Sequence, residues 1–175
     1  LNNYYKVLYS NDASAIKKVT NLNNAIDIYL FYLFVQAEDS IQNNTFANTY
    51  LVFKKDKDSY RVEYIPGILN NTFNSSSTDQ NFTFNNSPVQ ALLQINDQDT
   101  IRLVKERYNE LRKSTWSEDN IEKILDKAEQ DIFSSGAYLR DSNNYKINTK
   151  TKNLNSFRSY LSERLKSLDK YIENL

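Results

Sequence analysis

The spacing of apolar positions along this chain changes period several times, and each change marks an element. Residues 25 to 35, Ala-Ile-Asp-Ile-Tyr-Leu-Phe-Tyr-Leu-Phe-Val, are apolar on nearly every side, which predicts a helix inside a core. A short helix is predicted from Asp12 to about Val19, and Asn21 or Asn23 can cap the apolar one, because an asparagine oxygen satisfies the orphan amides of a first turn. The first ten residues, with Tyr4, Tyr5, Val7, Leu8 and Tyr9, show no clear period and stay unassigned or form an entering helix. After the apolar helix, Ala37 to Asn44 is polar and helix-breaking. Thr49 to Lys54 and Tyr60 to Ile65 are then rich in β-branched and aromatic residues, the second in strict alternation, with 55 to 59 as a polar connection. This predicts a β-hairpin that ends at Pro66-Gly67.

Residues 70 to 87 are Asn, Ser and Thr around isolated Phe73, Phe82 and Phe84, a long loop of the kind that is functional or disordered. From Pro88 the period is helical. Val89 to Ile95 forms one short helix, and Ile101, Val104, Tyr108 and Leu111 mark the next. Ser117 caps a third with the stripe Ile121, Ile124, Leu125, Ala128, Ile132 and Phe133, ended by Gly136. After a loop around 143 to 151, a last amphipathic helix carries Leu154, Phe157, Leu161, Leu165, Leu168 and Ile172. The expected fold is mainly α with a small two-stranded β-hairpin. It forms a single unit over 1–175, with helices at 12–37, a loop at 38–48, the hairpin at 49–65, a polar loop at 66–87 and a helical subdomain at 88–175.

Composition narrows the chemistry. In 175 residues, 22 Lys and Arg balance 22 Asp and Glu, which removes the electrostatic reason to expect nucleic acid as a partner. With no Cys and no His, zinc ribbons, thiol catalysis, disulfides and imidazole acid-base chemistry are excluded within these residues. The apolar run from Ile28 to Val35 is far short of the roughly 20 residues that span a bilayer, so no transmembrane segment is expected, and no signal peptide is visible in this stretch. The mean hydropathy of −0.70 is low, largely because the chain holds 24 Asn. The absence of Met, position 1 included, reads as the mark of a piece of a longer protein.

Asp39 lies in the loop after the buried helix, Asn44 stands five positions on, and the hairpin and Pro66 follow. Protein kinases use that order, with an Asp that accepts the substrate hydroxyl proton and an Asn five residues later that holds magnesium. The neighbouring residues resemble the spore-coat CotH kinase-like family, an atypical branch of the kinase fold. They are Asp39-Ser40, then Asn48-Thr49-Tyr50-Leu51-Val52-Phe53, and Pro66-Gly67-Ile68-Leu69-Asn70-Asn71-Thr72-Phe73, where the family shows a Pro-Trp-Asp-x-Asp-x-Thr-Phe-like segment. Further resemblance lies in Arg107 to Arg112, Ser117 to Ile121, Arg140-Asp141, Glu163-Arg164-Leu165 and Leu168-Asp169, so that it covers roughly residues 12 to 174.

The resemblance implies a C-lobe-like fold in which Asp39 is the catalytic base, Asn44 or Asn48 the cofactor-side Asn, and Asn70 a metal ligand. Ile68 stands where the family has its principal metal-binding Asp, and Gly67 stands at the Trp. Isoleucine offers magnesium no oxygen, and a neutral Asn is a weaker ligand than Asp. With two Gly in the chain, no glycine-rich loop can cradle phosphate here. Two readings follow. One is a catalytically degenerate pseudokinase without cofactor, a scaffold with protein partners in a surface or coat assembly, located extracellularly, at the cell surface or in a spore coat. The other is an active ATP- and Mg-dependent Ser/Thr kinase whose N-lobe lies outside this chain.

Other features have plainer readings. The five sequons, starting at Asn43, Asn70, Asn74, Asn81 and Asn85, are as many as an asparagine-rich chain carries by chance, and are not read as glycosylation sites. Arg107, Arg112, Arg140 and Arg164 are assigned to helix-surface or buried ion pairs rather than to phosphate. Trp116 is expected to pack beside the Ser117 cap.

Overall fold

The structure is a computed structural model that describes residues 2–37, 49–57, 59–67, 69, 72–73, 87–146 and 153–175. Among them the chain is mainly helical with one two-stranded antiparallel sheet. Contacts divide it into two compact units, Leu1–Tyr108 with Ser167–Leu175, and Asn109–Lys166.

The first unit opens with α1 (Asn2–Leu8), which buries Tyr4 and Leu8, so the entering helix is formed. In α2 (Ala13–Val19) the Asp12 carboxylate accepts the Ala15 N–H at 3.0 Å and Ile16 is fully buried. For α3 (Leu22–Val35) the cap is Asn21, whose side chain accepts the Asn24 N–H. Seven of its residues are buried, including Tyr29, Leu30, Tyr32 and Leu33, as its all-round apolar pattern requires. It ends on Gln36 in a left-handed conformation, with the Gln36 N–H donated to the Tyr32 carbonyl.

Strands β1 (Thr49–Asp56) and β2 (Ser59–Pro66) pair from Thr49 opposite Pro66 to Asp56 opposite Ser59. The connection is therefore two residues rather than the five expected from 55 to 59. Lys57 supplies the positive φ of 55° that tight hairpin turns demand, and an Arg61–Asp56 ion pair of 2.7 Å holds the strand ends. Alternation gives one face with buried Val62 and Tyr64, and another with exposed Tyr50 and Ile65. Helix α4 (Pro88–Gln94), capped by Ser87, buries Val89 and Leu92. Helix α5 (Gln98–Lys113) contributes buried Thr100, Val104 and Tyr108. Arg107 pairs with Asp27 at 2.6 Å, and the Tyr29 and Tyr171 hydroxyls bond at 2.6 Å, so the end of the chain belongs to this unit.

In the second unit, Trp116 is buried and Ser117 caps α6 (Glu118–Glu129), as expected. The predicted stripe is corrected. Ile121 and Leu125 are buried, but Ile124, adjacent to Leu125 on the helix and so about 100° around from it, is 58% exposed, and Ile132 is 40% exposed within a π-helical turn at Gln130–Ser134 that shifts the period. Gly136, at φ 73°, ends this stretch and opens α7 (Ala137–Tyr145), a helix the apolar pattern does not announce because none of its residues is buried. Helix α8 (Asn155–Glu173) buries Leu161, Arg164 and Leu165 within this unit, and Arg158 bonds Glu122, Asp126 and Glu129.

Candidate functional site

Asp39, Asn44, Asn48, Ile68 and Asn70 lie outside the described residues, and so do the sequon asparagines. What the structure gives is the frame around them. Where α3 ends, the Tyr32 hydroxyl bonds the Thr49 hydroxyl at the start of β1, and Thr49 is paired with Pro66 at the end of β2. Beyond β2, the Phe73 N–H donates to the Val35 carbonyl at 2.7 Å, and the Phe73 ring stands edge-on to Phe34 with centroids 5.9 Å apart. The last turn of α3, the first residue of β1, the last of β2 and Phe73 therefore meet at one corner. Gln36 and Ala37, which continue from α3, are both buried.

Side chains the motif reading missed hold the hairpin to the helices. Asn24 acts as a surrogate strand. Its amide oxygen accepts the Tyr64 N–H at 2.7 Å and its amide nitrogen donates to the Tyr64 carbonyl at 3.1 Å. Asn21 adds a different tie: its backbone N–H donates to the Val62 carbonyl at 2.9 Å and its side-chain amide donates to the Glu63 carboxylate at 2.8 Å. Hydrogen bonds from Lys54 and Asn21 hold the Glu63 carboxyl below its usual range. Beneath the sheet the Tyr4 hydroxyl bonds both Tyr64 and Thr20, and burial raises the hydroxyl pKa of Tyr4 and Tyr64. An asparagine at a helix start reads in sequence as a cap, and its second role toward a strand about 40 residues away leaves no local signal.

The described residues offer little else for chemistry. A cavity of about 10 Å³ between Ala25, Tyr29, Tyr32, Tyr64 and Pro88 holds one water at most. Among the described residues no group of three or more Asp or Glu is placed to hold a metal ion. The arginines have structural contacts. Arg107 meets Asp27, Arg112 donates to the Trp116 carbonyl, Arg140 donates to the Ser135 carbonyl and Arg164 is fully buried. The second unit has a shallow cleft of about 460 Å³ lined by Ile132, Ala137, Tyr138, Arg140, Asp141 and Asn144. No helix is long and apolar enough to cross a membrane among the described residues. Comparison with models of protein families, with curated proteins and with solved structures finds no match.

Proposed function

We propose that this chain is the C-lobe-like part of a CotH-like kinase-fold protein that no longer transfers phosphate and serves as a surface or coat scaffold for protein partners. The observation that supports this reading is the corner itself. A buried helix is followed by an antiparallel hairpin, and the last turn of that helix bonds the first residue of the hairpin, Thr49, through Tyr32 and, beyond the hairpin, Phe73 through Val35. Residues 38–48 and 68–72, the stretches that the resemblance assigns to the catalytic loop and metal ligands, begin and end at this corner.

In an active relative of that kind, a carboxylate at Asp39 accepts the proton of the substrate hydroxyl as it attacks phosphorus, while magnesium neutralises the charge on the transferring group. Ile68 removes the principal oxygen donor for that ion, and with it most of the electrostatic stabilisation of the transition state. A neutral Asn70 does not replace it. The measurement is a thermal shift of the full-length protein with ATP, with and without magnesium, since a ligand of the native state raises apparent stability. No magnesium-dependent shift is expected. A clear magnesium-dependent shift would contradict the loss of the metal site and replace this reading with that of an active kinase.

A further inference from the structure

The hairpin has one edge in use and one open. On the β2 side, the Asn21 N–H donates to the Val62 carbonyl, and the Asn24 side chain bonds both the N–H and the C=O of Tyr64. Main-chain groups of an antiparallel strand point alternately toward one neighbour and away from it. Since Val62 and Tyr64 turn theirs toward the helices, their partners in register, Phe53 and Leu51, turn theirs the opposite way, and so does Lys55 opposite Tyr60. The N–H and C=O of Leu51, Phe53 and Lys55 thus line the outer edge of β1, and among the described residues none of them has a hydrogen-bond partner. The register runs from Thr49 to Asp56 without a bulge and the strand holds no proline, so two of the devices that close an edge to pairing are missing. Along this strand Tyr50 is 64% and Phe53 43% exposed. Lys54 is paired with Glu63 on the neighbouring strand, whereas Lys55 and Lys57 are exposed and make no ion pair among the described residues.

We propose that the open edge of β1 accepts an extended segment of another protein as a third strand, apolar opposite Leu51 and Phe53 and acidic opposite Lys55 and Lys57. Main-chain hydrogen bonds supply the affinity of such strand addition, and side chains at alternate positions supply the choice of segment. Charge decides between occupants. A second copy laid antiparallel across Phe53 sets Lys54 and Lys55 against Val52 and Leu51, with no carboxylate opposite Lys55, which is how lysine guards an edge against self-pairing. An acidic strand turns the same lysines into partners. The edge gives the scaffold reading a class of partner, yet neither the edge nor its lysines depend on the kinase resemblance.

The probe is the capped peptide Glu-Thr-Glu-Thr-Val-Thr-Val-Thr, which, run antiparallel from Lys57 to Tyr50, sets its Glu opposite Lys57 and Lys55 and its Val opposite Phe53 and Leu51. Amide hydrogen exchange of the whole chain, read by NMR, follows its docking. In the free chain the amides of Tyr50, Val52 and Lys54, which face β2, are expected to exchange slowly and those of Leu51, Phe53 and Lys55 fast. Saturating peptide should slow the second set about tenfold or more. Lys55→Glu should weaken peptide binding about fivefold at low salt, and a peptide with Lys in place of both Glu should bind the wild type worse by a similar factor. The proposal is overturned if the second set is already protected in the free chain, if the peptide leaves it unprotected at millimolar concentration, or if the Lys-bearing peptide binds as well. Protection that grows with protein concentration alone would give the edge to a second copy instead. Should Lys55→Glu not fold, the two peptides compared on the wild type decide. Because no nucleotide enters, failure here is separable from failure of the thermal-shift test.

Discussion

At the scale of single residues, Asn24 carries more of the fold than its position suggests. It sits in the first turn of α3, yet its side chain completes the hydrogen bonding of Tyr64 on a strand edge. Removing it leaves a largely buried backbone N–H and C=O without partners, and each such orphan costs on the order of 1–3 kcal/mol. Asn24→Ala is therefore expected to lose about 2–4 kcal/mol in chemical denaturation with an unchanged denaturant slope. Asn24→Asp, which retains the acceptor and loses the donor, should fall between. An Asn24→Ala chain as stable as the wild type would show that water satisfies Tyr64 instead. The candidate chemistry was legible at this scale only as spacing, such as Asp39 to Asn44, whereas the paired bonds of Asn24 and the Tyr4, Thr20 and Tyr64 hydroxyl cluster were not, since they join residues far apart in sequence.

At the scale of elements, local signals carried far. Asp12, Asn21, Ser87 and Ser117 all cap the helices they precede, and two of these four, Asn21 (with Asn23 as the alternative) and Ser117, were read as caps from the sequence. The apolar pattern failed where burial gives no stripe to read, at α7, and where the π-helical turn breaks the 3.6-residue repeat after Glu129. The junction of α2, α4 and α5 adds a pH dependence. Asp97 accepts both the N–H and the hydroxyl of Thr100 at the start of α5, and pairs with Lys17 of α2 at 2.7 Å. Burial pushes its pKa up, but the bonds from Lys17 and Thr100 outweigh this and hold it below the ordinary 3.8. A carboxyl depressed in the folded state contributes stability above its unfolded pKa and loses that contribution as pH falls through the folded one. The melting temperature should thus fall more steeply below about pH 4 in the wild type than in Asp97→Asn. Parallel curves would contradict the assignment.

At the scale of the whole molecule, the fold class was readable because periods of 2 and 3.6 residues are written into local sequence, and the mainly helical chain with one hairpin is what forms. The corner joining α3, β1, β2 and Phe73 was not readable from periodicity, since Tyr32 with Thr49 and Val35 with Phe73 are tertiary contacts. The central proposal is that the order of residues resembling the CotH kinase-like family derives from a phosphoryl-transfer site that Ile68 disabled, a reading under which Asp39 and Asn70 are expected close together. Because the chain contains no Cys, the claim can be tested without background. In the double variant Asp39→Cys with Asn70→Cys, a short bifunctional thiol reagent should join the two positions within one native chain and cease to do so in denaturant. Failure to cross-link under native conditions, with both thiols reactive toward a monofunctional reagent, would contradict the account.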